Sequence, residues 1–167
     1  MVALFYWLLE PLRELLARLK NAKWRDIELQ FEFKLGVEQL KALTPNLPQL
    51  PEEQPLPQVS PEAENRTADL SPNRAVIQAW TALELAAKRL LNDKGRSDDP
   101  KNILKGLIEF VESKELDGAW VSTYQKLRDL HHIAVITVVP ESDADSFIEV
   151  ASIVKRAFRV VGAAKSE

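Results

Sequence analysis

The hydrophobic and polar positions divide the chain into three blocks, and the largest block has helical spacing. Within residues 71–163, apolar side chains recur every three or four positions in four successive runs, which predicts four amphipathic helices. Ser71-Pro72, Asp99-Pro100, Gly118 and a capping pair of Ser142 with Asp145 mark the predicted helix starts. Short connections between such helices predict an antiparallel four-helix bundle. The positions predicted to face inward are Val76, Trp80, Leu83, Ala87, Leu90, Ile103, Leu104, Leu107, Ile108, Val111, Trp120, Tyr124, Leu127, Ala134, Phe147, Val150, Ala151, Val154, Phe158 and Val161.

The first block, residues 1–44, has two different periods. Leucines at helical spacing after Pro11 predict a short helix. Residues 27–35 then alternate strictly between apolar and polar side chains, which is typical of a half-buried strand, and a short helix is predicted to follow over residues 36–43. Because one strand is not stable alone, this strand should pair with a second copy, with a partner protein, or with the β-branched stretch 133–139. The last residues of that stretch are not expected to remain helical.

Between these blocks, residues 45–70 contain six prolines and read as a linker. Proline at this density favours extended, semi-rigid chain and cannot pack as a helix or a central strand. A docking site for a proline-binding domain is the second interpretation of the same residues.

The composition narrows the classes of function. With 46% hydrophobic and 28% charged residues, the chain is typical of a globular protein, and its net charge of −3 argues against a general nucleic-acid binder without excluding one. It has no cysteine, which excludes disulfides and thiolate chemistry and is compatible with the cytoplasm. No glycine-rich phosphate loop and no HExxH motif occurs, so we predict neither a metal nor a cofactor.

The beginning of the chain is predicted to be a contact surface. Its first nine residues are apolar, too few for the roughly 20 that a spanning helix needs, and basic residues follow. Two interpretations stay open: peripheral binding to an anionic membrane on its cytoplasmic face, or contact with a protein partner. The residues assigned to this contact are Leu4, Phe5, Trp7, Leu8, Leu12, Arg13, Arg18 and Lys20.

The stretch KLRDLHHIAVIT, residues 126–137, contains both histidines of the chain. Arg128 and His132 are four residues apart and share a helix face, whereas His131 falls on the inward face with Tyr124. Adjacent histidines point about 100° apart on a helix, so they are not expected to bind one metal ion together. Glu84 lies among apolar residues, where it is either a buried partner of Arg128 or a histidine, or solvated.

Residues 71–161 resemble the HEPN superfamily of helical domains. The segment SPNRAVIQAWTALELAAKRLL is similar to the first helix of that family, with Trp80, Leu83 and Glu84 at matching positions. The segments YQKLRDLHHIAV and SDADSFIEVASIVKRAF are similar to its later helices. The resemblance implies a helical bundle, two-fold dimers, a metal-free ribonuclease site in active members, and a bacterial defence or toxin–antitoxin setting.

The chain departs from the ribonuclease motif of that family, which has an arginine, a polar residue and then a histidine several residues beyond. Aligning Leu127-Arg128 with the leucine–arginine pair puts His131 at the catalytic arginine and Ile136 at the catalytic histidine. Taking Arg128 as the catalytic arginine leaves only aliphatic residues and threonine where the histidine belongs. We therefore expect no open groove that Arg128 shares with both histidines.

These observations together predict a non-catalytic interaction or scaffold module, attached to a membrane surface or a partner and present as a homodimer or hetero-oligomer. The alternative is a diverged metal-free ribonuclease that uses Arg128 and His132. A third interpretation is binding of a nucleotide or an RNA end without cleavage, through Arg128.

Overall fold

A computed structural model describes residues 24–48, 70–93, 95 and 102–163. The described chain is helical and contains no strand. Five α-helices follow in order: α1 over residues 24–43, α2 (Pro72–Asp93), α3 (Ile103–Glu112), α4 (Gly118–Ile136) and α5 (Glu141–Ala163), with a 3₁₀ turn at Thr44–Asn46 after α1. The predicted N-terminal helix, most of the proline-rich linker and the Asp99-Pro100 helix start lie outside the described residues.

Helices α2 to α5 form the bundle that the spacing predicts, around one apolar core. Helix α2 packs most extensively against α5 and also contacts α3 and α4. Most of the predicted inward residues are buried. On the short helix α3 the inward face is rotated, so that Phe110 is buried whereas Ile108 is exposed. Gly106 is buried on this inward face, and its missing side chain lets α3 approach Leu91 closely.

Helices α2 and α5 run in the same direction, which the prediction of strictly alternating helices did not include. Pro72 and Glu141, at their starts, line one groove, and Gly162, near the end of α5, lies beside Leu90, near the end of α2. Helix α4 runs opposite to α2. Asn73 at the start of α2 donates a hydrogen bond of 2.6 Å to the carbonyl of Ala134, so the start of α2 lies beside the end of α4. The bundle therefore has three long helices in up-down-up order, with α3 in one connection.

Helix α1 occupies the region in which a strand was predicted, so that prediction is wrong. Phe33, Val37 and Leu40 are buried at helical spacing against the bundle. A side chain at Gly36 would collide with Leu130 on α4, which shows how closely the two helices approach. The polar residues between these positions are mostly Glu, Gln and Lys, which favour helix. Because residues 27–35 are helical, they do not pair as a strand with a second copy.

The connection after α4 is held by side chains of two other helices. The helix ends at Ile136, within the β-branched stretch where an early end was predicted, and Thr137 is extended. Asn73 on α2 donates to the carbonyl of Thr137 and accepts from the amide of Val139, at 3.1 Å. Helix α5 then starts at Glu141, directly after Pro140, so that Ser142 lies inside the helix and the predicted capping pair with Asp145 does not form its start.

Candidate functional site

A polar groove lies between α2, α3 and α4, with a volume of about 310 Å³. Four of its side chains are titratable residues that the sequence singled out: Glu84, Arg128, His131 and His132. Trp80, Ile103, Leu104 and Tyr124 complete the lining. We name this feature the polar groove. The structure thus brings Arg128 and both histidines together, and the expectation that they share no open groove is wrong.

Helical spacing on α4 explains how the polar groove forms. Tyr124 and Arg128 are four residues apart, and His131 and His132 follow within the next turn, so one side of the helix presents all four. The imidazole of His131 stacks on the indole of Trp80, with centroids 5.3 Å apart and planes at 20°. His131 is half-buried and lines the groove. The two imidazoles are then 5.7 Å apart, tilted by 55°.

The charged groups of the polar groove are unevenly paired. Glu84 forms an ion pair with Lys88 on the same helix, with 3.0 Å between Oε1 and Nζ. It is not bound to Arg128 or to a histidine. Arg128 has only the carboxylate of its neighbour Asp129, 3.7 Å from Nε. Both Arg128 Nε and His131 Nδ1 are buried and have no hydrogen-bond partner within the described part of the chain. Unsatisfied buried donors are rare in proteins, which makes these two atoms the most informative feature of the groove.

The surroundings change the proton affinity of two groups in the groove. Burial lowers the pKa of His131 below its ordinary value of 6.5; His132 adds to this effect and Glu84 opposes it. Burial raises the pKa of Tyr124 above its ordinary value of 10.0, with a further contribution from Glu84 that Arg128 opposes. At neutral pH the imidazole of His131 and the phenol of Tyr124 are therefore neutral, beside the charged guanidinium of Arg128.

These groups could support acid–base chemistry and the stabilisation of negative charge, but not the binding of a metal ion. A neutral imidazole can act as a base and a guanidinium can stabilise negative charge. Beyond the histidines, α4 presents the exposed aliphatic residues Val135 and Ile136. Within the described part of the chain, no three His, Asp or Glu side chains form a group that could hold a metal ion.

A larger groove, of about 630 Å³, lies on the outer side of the α2–α5 pair. Four alanines are among its lining residues, including Ala75, Ala79 and Ala144. Lys155 lines it; burial lowers the pKa of this lysine, and the nearby Arg159 adds to the effect. No buried polar atom without a partner lines this groove, so the smaller polar groove is the stronger candidate for a ligand site.

A second candidate surface lies on α1, on the side opposite the core. Trp24, Ile27, Phe31 and Leu35 are all exposed, Trp24 by 65% and Phe31 by 68%, although they are large apolar residues. We name these four residues the outer stripe. Phe31 and Phe33 both belong to the alternating apolar pattern of the sequence. In a strand they would share one buried face, so the strand prediction did not identify the exposed outer stripe. Counting the pattern at helical period would have found it.

The end of α4 lies next to the first described turn of α1. Thr137 donates a hydrogen bond to the carboxylate of Asp26 at 2.8 Å. The residues around Thr137 are apolar and exposed, namely Val135, Ile136 and Val138.

The contact residues predicted near the start of the chain lie outside the described residues; they are Leu4, Phe5, Trp7, Leu8, Leu12, Arg13, Arg18 and Lys20. None of the five helices in the described ranges combines the length and the apolar character needed to cross a bilayer.

Comparison with known proteins found no matching family model, no matching curated sequence and no matching solved structure. The resemblance to the HEPN superfamily therefore stays a prediction. The inferences that follow rest on the geometry of the polar groove and the outer stripe.

Proposed function

We propose that this chain is a non-catalytic interaction module that associates with a second copy of itself through the outer stripe. The observation that carries the proposal is the exposure of four large apolar side chains in one line along α1. Monomeric soluble proteins rarely expose such patches, because burying apolar surface is favourable by roughly 25 cal/mol per Å². The helix already packs its other face on the bundle, so the outer stripe is available to a partner.

The charges beside the outer stripe support a second copy as the partner. On a helix of 3.6 residues per turn, Lys34 and Lys41 flank the stripe on one edge, and Glu28 and Glu32 flank it on the other. Two copies of α1 packed side by side in the same direction bring the lysine edge of each against the glutamate edge of the other. Packed in opposite directions, like charges would face each other, which is unfavourable. We therefore propose a parallel pair.

The same helix is less suited to an anionic membrane. Residues 24–43 contain four acidic and three basic side chains, so they carry no net positive charge to attract acidic lipid. The basic residues before α1, Arg13, Arg18 and Lys20, remain our proposal for contact with a membrane surface or a further partner. By its resemblance to the HEPN superfamily, we place the module in a bacterial assembly of the defence or toxin–antitoxin kind.

The test is the mass of the full chain by sedimentation velocity over a micromolar concentration series. We expect a concentration-dependent dimer that Phe31→Ser shifts to monomer by weakening association at least tenfold. Leu85→Ser is the matched control, because Leu85 is an exposed leucine on α2, outside the outer stripe. A wild-type chain that stays monomeric, or equal loss of dimer in both variants, would refute the proposal.

A second candidate function is metal-free RNA cleavage at the polar groove. The observation in its favour is that Arg128 and His132 line one groove, where a base and a cation could act on the same phosphodiester. The test is incubation of the purified chain with structured and unstructured RNA, with and without His132→Ala. Cleavage that this substitution abolishes would establish the candidate, and absence of cleavage would eliminate it.

A further inference from the structure

We propose that the polar groove is a binding site for a small organic oxyanion, a carboxylate or phosphate group attached to a compact apolar body. The site is independent of the outer stripe, since no residue of α1 lines it. The proposal rests on three features: two buried polar atoms that make no hydrogen bond within the described residues, an excess of donors over free acceptors, and the size of the groove.

The unpartnered atoms provide the first step. Leaving a buried donor without a hydrogen bond costs about 1–3 kcal/mol, so such groups are rare in folded chains, and the Asp129 carboxylate, 3.7 Å from Arg128 Nε, is too distant to form one. Arg128 Nε always carries its proton, because the guanidinium stays charged in proteins. The side chains of Arg128 and His131 both line the groove, and a neutral imidazole can supply a further hydrogen bond from its N–H.

The balance of charge provides the second step. Glu84, which faces the groove from α2, already binds Lys88. From α4 the groove receives Tyr124, Arg128, His131 and His132, all of which can donate a hydrogen bond, and from α3 it receives only the apolar Ile103 and Leu104. Donors thus exceed free acceptors, and a ligand rich in acceptor oxygens satisfies them. Oxyanions bound by a guanidinium form stronger hydrogen bonds than neutral acceptors do.

The shape of the groove provides the third step. A volume of about 310 Å³ is at the lower end of the range for small-molecule pockets. The indole of Trp80 and the side chains of Ile103 and Leu104 offer apolar walls beside the donors. A compact ring that carries one oxyanion fits the volume of the groove and places its apolar part against these walls. A polymer would extend beyond the groove.

Anion binding should also shift the titration of His131. Burial and the neighbouring His132 keep the pKa of His131 below its ordinary value, and Glu84 opposes this effect only in part. A bound oxyanion adds negative charge beside the ring and so favours its protonated form. Binding therefore raises the pKa of His131, and the affinity for the anion rises as the pH falls.

The test is a titration of the full chain with inorganic phosphate and, separately, with benzoate, followed by NMR of the two histidine rings. We expect saturable binding of at least one probe, a raised His131 pKa at saturation, and at least tenfold weaker binding in Arg128→Gln. If benzoate binds and phosphate does not, the natural group is a carboxylate; the reverse result identifies a phosphate. Arg156→Gln, at an exposed position on α5, is the matched control with the same change of charge.

A second variant covers the case in which Arg128→Gln fails to fold. His132 is exposed, so His132→Gln should retain the fold and still weaken binding severalfold. No saturable binding of either probe, or equal effects of the substitutions at Arg128 and Arg156, would overturn the proposal. Cleavage of an added RNA oligonucleotide by the same preparation would also overturn it, in favour of a polymeric substrate.

Discussion

The hydroxyl of Thr137, at the end of α4, donates a hydrogen bond of 2.8 Å to the carboxylate of Asp26 in the first described turn of α1. These residues are 111 positions apart, so the bond joins the N-terminal region to the helical bundle. Thr137 is buried, and its carbonyl accepts a hydrogen bond from Asn73. One residue thus connects α1, α2 and α4 at the same end of the bundle, and α1 belongs to the folded domain.

Removing this connection should loosen α1 without unfolding the bundle. We expect Asp26→Ala to lower the free energy of unfolding by about 1–2 kcal/mol, because the buried hydroxyl of Thr137 loses its partner. Urea denaturation measures the change, and hydrogen exchange should show faster exchange in residues 24–43. Glu149→Ala, at an exposed position on α5, is the control and should change the free energy of unfolding by less than about 0.5 kcal/mol.

The close approach of α1 to α4 makes a specific prediction for Gly36. A methyl group there would collide with Leu130, which is buried and has little room to move. We expect Gly36→Ala to destabilise the chain by about 1–3 kcal/mol in urea, although alanine favours helix. Gly162→Ala on α5 meets only ordinary contacts, 3.7 Å from Asp93 and 3.8 Å from Leu90, and should be neutral or stabilising. Equal stability of the two variants would mean that α1 does not pack this closely.

Two phenylalanines two residues apart should respond in opposite ways. Phe33 is fully buried and Phe31 is 68% exposed. We expect Phe33→Ala to cost about 3–5 kcal/mol of unfolding free energy, and Phe31→Ala to change the stability of the monomer little. A strand would place both rings on one face, so similar losses at the two positions, measured in dilute solution, would favour a strand over helix α1.

The polar groove makes the stability of the chain depend on pH. The pKa of His131 is lower in the folded chain than its ordinary value of 6.5, so the unfolded chain binds a proton more readily. Its contribution to stability is complete above pH 6.5 and decreases as the pH falls below that value. We expect His131→Phe, which retains an aromatic ring beside Trp80, to lose less stability than the wild type between pH 7.5 and 5.5. Equal pH dependence of His131→Phe and the wild type would contradict the assignment.

Much of the bundle could be predicted from the sequence, because each long helix buries one regular apolar stripe. Trp80, Leu127 and Phe158 are buried as their spacing indicates. Helix α1 was not predictable in this way, since it is apolar on two faces, and residues 27–35 then satisfy the period of a strand as well as that of a helix. The packing distinguishes them: Phe33 is buried and Gly36 lies against Leu130, whereas Phe31 is exposed.

The candidate site was predictable only in part. Helical spacing placed Arg128 and His132 on one face, but His131 was assigned to the core. Its position at the groove depends on the stacking contact with Trp80, which lies 51 residues earlier in the chain. The approach of α3, which supplies Ile103 and Leu104 to the groove, depends on the missing side chain of Gly106. Such contacts between helices leave no periodic signal in the sequence.

The most direct test of the outer stripe uses the absence of cysteine from the chain. Trp24→Cys and Leu35→Cys, made separately, place one thiol at either end of the stripe. In a parallel pair of α1 helices each thiol meets its own copy, so mild oxidation should convert both variants to disulfide-linked dimers. Leu85→Cys, on α2, should remain monomeric under the same conditions. Failure of both stripe variants to form linked dimers, or equally rapid linkage of Leu85→Cys, would contradict the parallel pair proposed for the outer stripe.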